Sequence, residues 1–270
     1  MLSLTMCFMI AVKHVSKSFG SRKVLSDISF TVEPKEAVCI VGPGGSGKST
    51  LLSLLLSVTE PSTGSIEVDG VPLASLPPPV LQLFRRRVGI IFQDPVLLAH
   101  LTIAENIRLP LELFAVSPAL IRRNTDDLVK RLGLTAVADR LPEQVSQSQR
   151  ALAGIARALS TGPVVLIADE PLAQLDAKQC AVVCELIGNM HKRGTTTILF
   201  SRGTDLAHVV HARILHLADG KITGGKAKEP VRNATTVHRI LEEELPAQTA
   251  PSTSASGKRI RITAIGGSGA

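Results

Sequence analysis

An α/β domain built on a mostly parallel sheet is what this sequence predicts, on three observations. The apolar run AVCIV at residues 37–41 leads directly into a glycine-rich loop and then into the apolar stretch 51–58, which reads as strand, loop, helix. Short β-branched runs alternate with helical patterns through residues 164–217, as parallel strands joined by crossover helices require. A chain of 270 residues with 44% hydrophobic composition can bury one substantial core but hardly two.

Along the chain, residues 9–15, 28–32 and 37–41 are short, β-branched and bounded by Gly, Ser, Pro or charge, which predicts three opening strands. Further strands are expected at 66–68, 88–92, 164–168, 195–200 and 213–217. From about 94 to 148 the pattern turns helical: Thr102 and Glu105 make a capping box, and Ser117 followed by Pro118 reads as an N-cap before an N1 proline. This stretch is expected to be an inserted helical subdomain. The folded domain is expected over 9–230, with a short helix at 231–245 and a disordered basic tail at 246–270, where PAQTAPSTSASG cannot build a core and Lys258, Arg259 and Arg261 add charge.

Composition narrows the function classes. Cys7, Cys39, Cys180 and Cys184 form neither a CxxC pair nor a secreted disulfide pattern, so they are expected as reduced core filler in the cytosol. The apolar run 6–12 is too short to span a bilayer, so the chain is expected to be soluble. A net charge of +7 suits an anionic partner, whether nucleotide, nucleic acid or acidic lipid. With no Trp or Tyr and 3% aromatic residues there is little to stack bases on, and no nucleic-acid partner is expected.

The strongest motif is Gly42-Pro43-Gly44-Gly45-Ser46-Gly47-Lys48-Ser49-Thr50, a phosphate-binding loop of the form GxxxxGK[ST] in the strand-to-helix setting it needs. Its glycines let backbone N–H groups face a β-phosphate and the helix N-terminus adds partial positive charge. Lys48 can reach the β- and γ-phosphates, and the Ser49 hydroxyl can ligate Mg²⁺. Read blandly, the same residues are an empty glycine-rich turn. In VVLIADEP, the strand 164–168 delivers Asp169 and Glu170 to its C-terminal end, where open α/β sheets bind ligands. Asp169 would hold Mg²⁺ and Glu170 would polarise an attacking water. Alone, such a pair is more often a solvated turn. About 120 residues after a phosphate loop, it is a catalytic candidate.

With these motifs, residues 9–225 resemble the ATP-binding cassette (ABC) family. The resemblance implies a P-loop NTPase with a RecA-like core, an N-terminal antiparallel β-subdomain and an inserted helical subdomain, with ATP and Mg²⁺ as ligands. It places Gln93 of IIFQDP as the Q-loop glutamine, touching Mg²⁺ or water and reporting the nucleotide state to the membrane partner, Phe19 of VSKSFG under the adenine, and Leu175–Asp176 at the end of the D-loop. Ser146 and Asp176 are implied to act in trans, on the nucleotide of the opposite subunit. LFRRRVGIIFQD and LTIAENIRLPL are most similar to the FtsE-type cell-division branch, whose members pair with an FtsX-type membrane protein; lipoprotein-release and MacB-type ATPases share much of the pattern. The implied assembly is a homodimer or a heterodimer of cassettes on the inner face of the plasma membrane.

Two departures stand out. Where the family reads LSGGQ, this chain reads VSQSQ at 145–149, so both signature glycines are missing, and Gln147 and Ser148 are expected to limit close approach and disfavour positive φ. Counting without gaps from Glu170, the family's switch histidine falls on Arg202, which can still donate hydrogen bonds to a γ-phosphate but whose fixed charge and longer reach cannot copy an imidazole. Two readings therefore stand: a working ATPase subunit, or a nucleotide-gated scaffold that binds ATP and turns it over slowly. ATP binding with impaired hydrolysis is favoured. Soluble two-cassette proteins of translation or repair fit poorly, because there is one phosphate loop and no long insertion.

Overall fold

The computed structural model of the chain describes residues 8–114 and 116–223. Cys7, the expected helix at 231–245 and the tail at 246–270 lie outside the described residues. In chain order, β1 (Ile10–Phe19) and β2 (Arg22–Val32) lead to β3 (Ala37–Val41) and α1 (Lys48–Leu55), then to β4 (Thr63–Val68) and β5 (Val71–Pro72). After α2 (Pro78–Arg87) and β6 (Val88–Ile91) come three helices, α3 (Ile103–Leu113), α4 (Pro118–Arg131) and α5 (Gln147–Leu159). The chain continues through β7 (Val165–Asp169), α6 (Ala177–Lys192), β8 (Thr196–Ser201), α7 (Asp205–Val209), β9 (Arg213–Ala218) and β10 (Lys221–Thr223).

Two sheets result. An antiparallel sheet runs in the order β2-β1-β4-β5. The larger sheet runs β10-β9-β3-β8-β7-β6, parallel throughout except for the antiparallel edge strand β10. Every residue of β3 and β7 is buried, which explains why they read as continuous apolar runs rather than alternating ones: both faces of the parallel sheet are covered. One core lies between the two sheets around α1 and includes Phe30, Ile40, Leu51 and Ile167. There Phe8 meets Phe84 edge to face, with ring centroids 5.8 Å apart. The second core lies on the other face, where Ile103, Leu128, Ile155 and Ile187 of α3 to α6 cover the sheet.

The eight expected strands all exist, but only β3 has the expected bounds, and β1, β2 and β4 are three or more residues longer than expected. β1 continues to Phe19 and β2 starts at Arg22, because a bulge interrupts the alternation on which the sequence reading relied. At that bulge His14 takes φ 50°, and the strand opposite carries Gly64, where a Cβ would strike the carbonyls of Lys13 and His14. Helix α2 has no counterpart in the sequence reading. Its start is hidden in a proline run, with prolines standing at the first helical positions where a missing N–H costs nothing.

In the helical region the Thr102 capping box forms as expected: Glu105 N donates to Thr102 Oγ1 at 3.2 Å and Thr102 N donates to Glu105 Oε2 at 2.8 Å. Ser117 stands at the N-cap before Pro118, yet its hydroxyl makes no cap bond. Asn106, fully buried, holds the preceding loop: its Nδ2 donates to the carbonyls of Leu98, Leu101 and Thr102 at 3.0–3.1 Å, and its Oδ1 accepts from Leu98 N at 2.7 Å. Asn106→Ala strands several of these groups and is expected to cost about 2–3 kcal/mol. A urea midpoint equal to the parent's would contradict that.

Candidate functional site

The C-terminal ends of β3, β6, β7 and β8 share one edge of the parallel sheet, and each delivers polar groups to a cavity of about 500 Å³. β3 runs into the loop 42–47, whose form depends on glycine. A Cβ on Gly42 would strike the Leu217 carbonyl, and Gly47, the N-cap of α1, takes φ 106° with its Cβ position 2.7 Å from Leu25 Cδ2. Lys48 opens α1 and is 7% exposed; its Nζ donates to the carbonyls of Gly42 at 2.6 Å and Pro43 at 3.0 Å. Gly44, Gly45, Gly47, Lys48, Ser49 and Thr50 line the cavity. Gly42, Pro43 and Ser46 do not line it but build the loop.

The acid side of the site comes from β7. Asp169 is its last residue, and Glu170 follows at φ 45°, a left-handed conformation that costs a non-glycine residue on the order of 1 kcal/mol and turns the chain sharply out of the sheet. Glu170 Oε1 lies 3.9 Å from Lys48 Nζ and 3.5 Å from Arg202 Nε, and accepts a hydrogen bond from neither. Burial, and then the charge of Glu170, push the Asp169 carboxyl above its ordinary range, against the pull of Lys48, the Ser49 hydroxyl and Arg202.

These groups fit a magnesium-bound polyphosphate. Asp169 Oδ1, Glu170 Oε1 and Ser46 Oγ are buried without a hydrogen-bond partner, an arrangement that costs free energy until a cation or donor arrives. Asp169, Ser49 and Gln93 are the residues that would hold Mg²⁺, which would neutralise phosphate charge. The Lys48 ammonium and the loop N–H groups would hold the phosphates.

In the absence of ligand the two adjacent carboxylates are a liability. Because the folded-state pKa of Asp169 is raised, its protonated form is the stabilising one. That contribution is complete below the unfolded-state pKa and is lost as pH rises through the folded value. Asp169→Asn is therefore expected to raise the melting temperature of the metal-free protein at pH 7, with a gain on the order of 1 kcal/mol that shrinks toward pH 4, while weakening Mg-dependent nucleotide binding. A variant that melts lower than its parent at pH 7 in EDTA would contradict this.

Phe19 and Gln93 line the same cavity, and Phe19 is 53% exposed, which leaves ring surface open for a base. The Lys17 ammonium sits 5.1 Å from the Phe19 ring centroid and donates to the Glu60 carbonyl. Arg202 also lines the cavity. Two residues that the sequence reading missed join them, Arg22 and Val24. The detectable signal was their place in the hairpin: Arg22 pairs directly with Phe19 across it.

Ser146 and Asp176 lie outside this cavity, both exposed. Each caps a helix: Gln149 N donates to Ser146 Oγ at 3.2 Å, and Gln179 N donates to Asp176 Oδ1 at 2.8 Å. Ser146 Oγ also lies 3.1 Å from Ser148 Oγ. One expectation needs correction. Gln147 and Ser148 begin α5 and neither takes a positive φ, so no left-handed backbone is disfavoured there. Of the described cysteines only Cys39 is core filler, its thiol pushed up to about 11 by burial, while Cys180 and Cys184 are half-buried with thiols raised by burial.

Comparison with known proteins agrees with this geometry. The family model described as ABC transporter matches residues 25–173. The methionine import ATP-binding protein MetN of Caulobacter vibrioides is 34% identical over 94% of this chain and 78% of its own length. The cell division ATP-binding protein FtsE of Escherichia coli K12 is 34% identical over 82% of this chain and all of its own. The macrolide export protein MacB of Neisseria meningitidis is also 34% identical, over 87% of this chain, which spans only 37% of MacB. Among solved structures, the ATP-binding cassette MJ0796, in a dimeric post-hydrolysis state bound to ADP and Pi, superposes with a TM-score of 0.74 at 29% identity, over 81% of this chain and 98% of that one. A phosphate loop, an acidic strand end and a family match through both make the chain a member of the ABC transporter family, as its ATP-binding subunit.

Proposed function

We propose that the chain binds Mg-ATP in the cavity between the phosphate loop and Glu170, that two cassettes close over the nucleotide, and that hydrolysis is slow. The observation that carries this is the company Glu170 keeps. The candidate base faces buried Lys48 on one side and Arg202 on the other, 3.9 and 3.5 Å away. A guanidinium there competes for the carboxylate that would otherwise polarise water, and it cannot itself accept a proton from water. Ser146 and Asp176 are exposed and lie outside their own chain's cavity, which suits a role toward the nucleotide of a second cassette, either a copy of this chain or a sister ATPase. Across that interface Gln147 and Ser148 place side chains where the family has none.

The nucleotide state would be handed to an integral membrane partner on the cytoplasmic face. No helix among the described residues is long and apolar enough to cross a membrane. A cell-division role with an FtsX-type partner is supported by the resemblance of 83–94 and 101–111 to FtsE-type ATPases and by the match along the whole of FtsE. Co-purification from the native membrane tests this. Recovery of an FtsX-type protein is the expected result, and recovery of a lipoprotein-release or MacB-type permease instead would overturn the cell-division reading.

A further inference from the structure

Gln174 stands directly before Leu175 and Asp176 and has no role in the motifs above, yet it joins two parts of the site that are distant in sequence. Its Nε2 donates to the main-chain carbonyl of Gln93 at 3.0 Å and to Asp94 Oδ1 at 3.2 Å, across 81 and 80 residues. Its Oε1 is buried and accepts nothing. An amide nitrogen with two N–H donors suits a carbonyl beside a carboxylate; no other side chain of similar length offers that pair without a positive charge.

Both ends of this bridge are held. On one side, the side chain of Gln93 lines the phosphate cavity while its carbonyl is held by Gln174. The next residue but one, Pro95, seats in a notch on α5 where a Cβ on Gly154 would lie 2.5 Å from Pro95 Cβ. On the other side, Gln174 belongs to the short turn between Glu170 and α6. Ala173 N donates to the Glu170 carbonyl at 3.1 Å and Leu175 N to the Leu172 carbonyl at 3.2 Å, and Asp176 caps α6. The Cys180 thiol, one turn into α6, points at the carbonyls of Leu172 and Leu175 at 3.9 and 3.7 Å.

We propose that Gln174 is a positioning residue that ties the turn 171–176 to Gln93, so that a ligand engaging Gln93 changes the setting of Asp176 and the start of α6. The inference rests on the reading that the cavity binds Mg-ATP. A ligand shifts such an element only if it interacts differently with two arrangements of it. Gln93 is placed for such a coupling, since it lines the cavity while its carbonyl is bonded to the turn.

Cys180 provides the readout, because its labelling by a maleimide depends on the turn that its thiol touches. Labelling is followed by peptide mass spectrometry on the full chain, with and without saturating Mg-ATP, while calorimetry measures Mg-ATP affinity on the same samples. Cys184, one helical turn further along, is the internal control. In the parent, Mg-ATP is expected to change the Cys180 rate by at least about 5-fold, the lower end of ordinary coupling between sites. In Gln174→Ala, ATP affinity stays within about 2-fold while the ATP-dependent change at Cys180 falls below about 2-fold. Gln174→Glu, which sets a carboxylate against Asp94, behaves likewise. A residue that merely stiffens the turn would raise the rate in both states and leave the ATP response intact, and that result overturns the inference. So does a parent that binds Mg-ATP without any change at Cys180. A parent that binds no Mg-ATP overturns the site reading first, and the calorimetric arm tells the two failures apart.

Discussion

Lys48→Ala is expected to weaken Mg-ATP binding by about 10²–10³-fold, or roughly 3–4 kcal/mol, in a calorimetric titration. Lys48 is the buried ammonium at the loop, and its Nζ is already held by the carbonyls of Gly42 and Pro43, so the positive charge is in place before any phosphate arrives. Alanine removes that charge and leaves Glu170 facing the exposed Arg202, which weakens the hold of the cavity on an anion. The fold itself has little reason to suffer. α1 buries Leu51, Leu52, Leu54 and Leu55 independently of Lys48, so a parent-like melting curve beside a flat titration is the expected pair of results. Equal affinity in mutant and parent would remove the site from this loop.

Turnover is expected to rise at least about 10²-fold when Gln147→Gly, Ser148→Gly and Arg202→His are combined. Restoring a single electrostatic or positioning group to such a site is worth roughly 2.7–4 kcal/mol, by analogy with one oxyanion donor. Groups acting as a unit do not add, which is why the expected gain stops near the effect of one. The geometry indicates where that gain would arise. Gln147 and Ser148 already have helical backbone, so glycine there removes bulk and does not create a new conformation. Histidine at 202 removes the guanidinium 3.5 Å from Glu170 and returns a group able to accept a proton. Steady-state phosphate release by the purified chain, alone and with its membrane partner, measures this. A triple variant that stays folded and dimeric yet gains nothing would show that Ser146, Gln149 and Arg202 suffice as they stand.

The fold and most of the site were legible in the sequence for definite reasons. Strands β3 and β7 are buried on both faces, so their apolar runs are unbroken and their ends are sharp; Gly42 and Asp169 mark those ends, and the motifs attached to them were found. Strand β2 was half missed, because the bulge at His14 and the exposed hairpin end carry no clean alternation. Arg22 and Val24 sit on that hairpin, and the same blur concealed them. Gln174 was invisible for another reason. Its partners are about 80 residues away, and no local pattern encodes a bond between two loops that only the sheet order β8-β7-β6 brings together. The expected positive-φ penalty at Gln147 and Ser148 does not arise, because a helix N-terminus needs no positive φ.

Slow hydrolysis in an intact nucleotide site can be read in one experiment: mix the purified chain with Mg-ATP, separate bound from free nucleotide after a few minutes, quench, and identify what remains bound. Close to one nucleotide per chain is expected in the parent, recovered largely as ATP, and almost none in Lys48→Ala. Nucleotide absent from the parent, or recovered from it entirely as ADP, would contradict the proposal that this cavity binds ATP and hydrolyses it slowly.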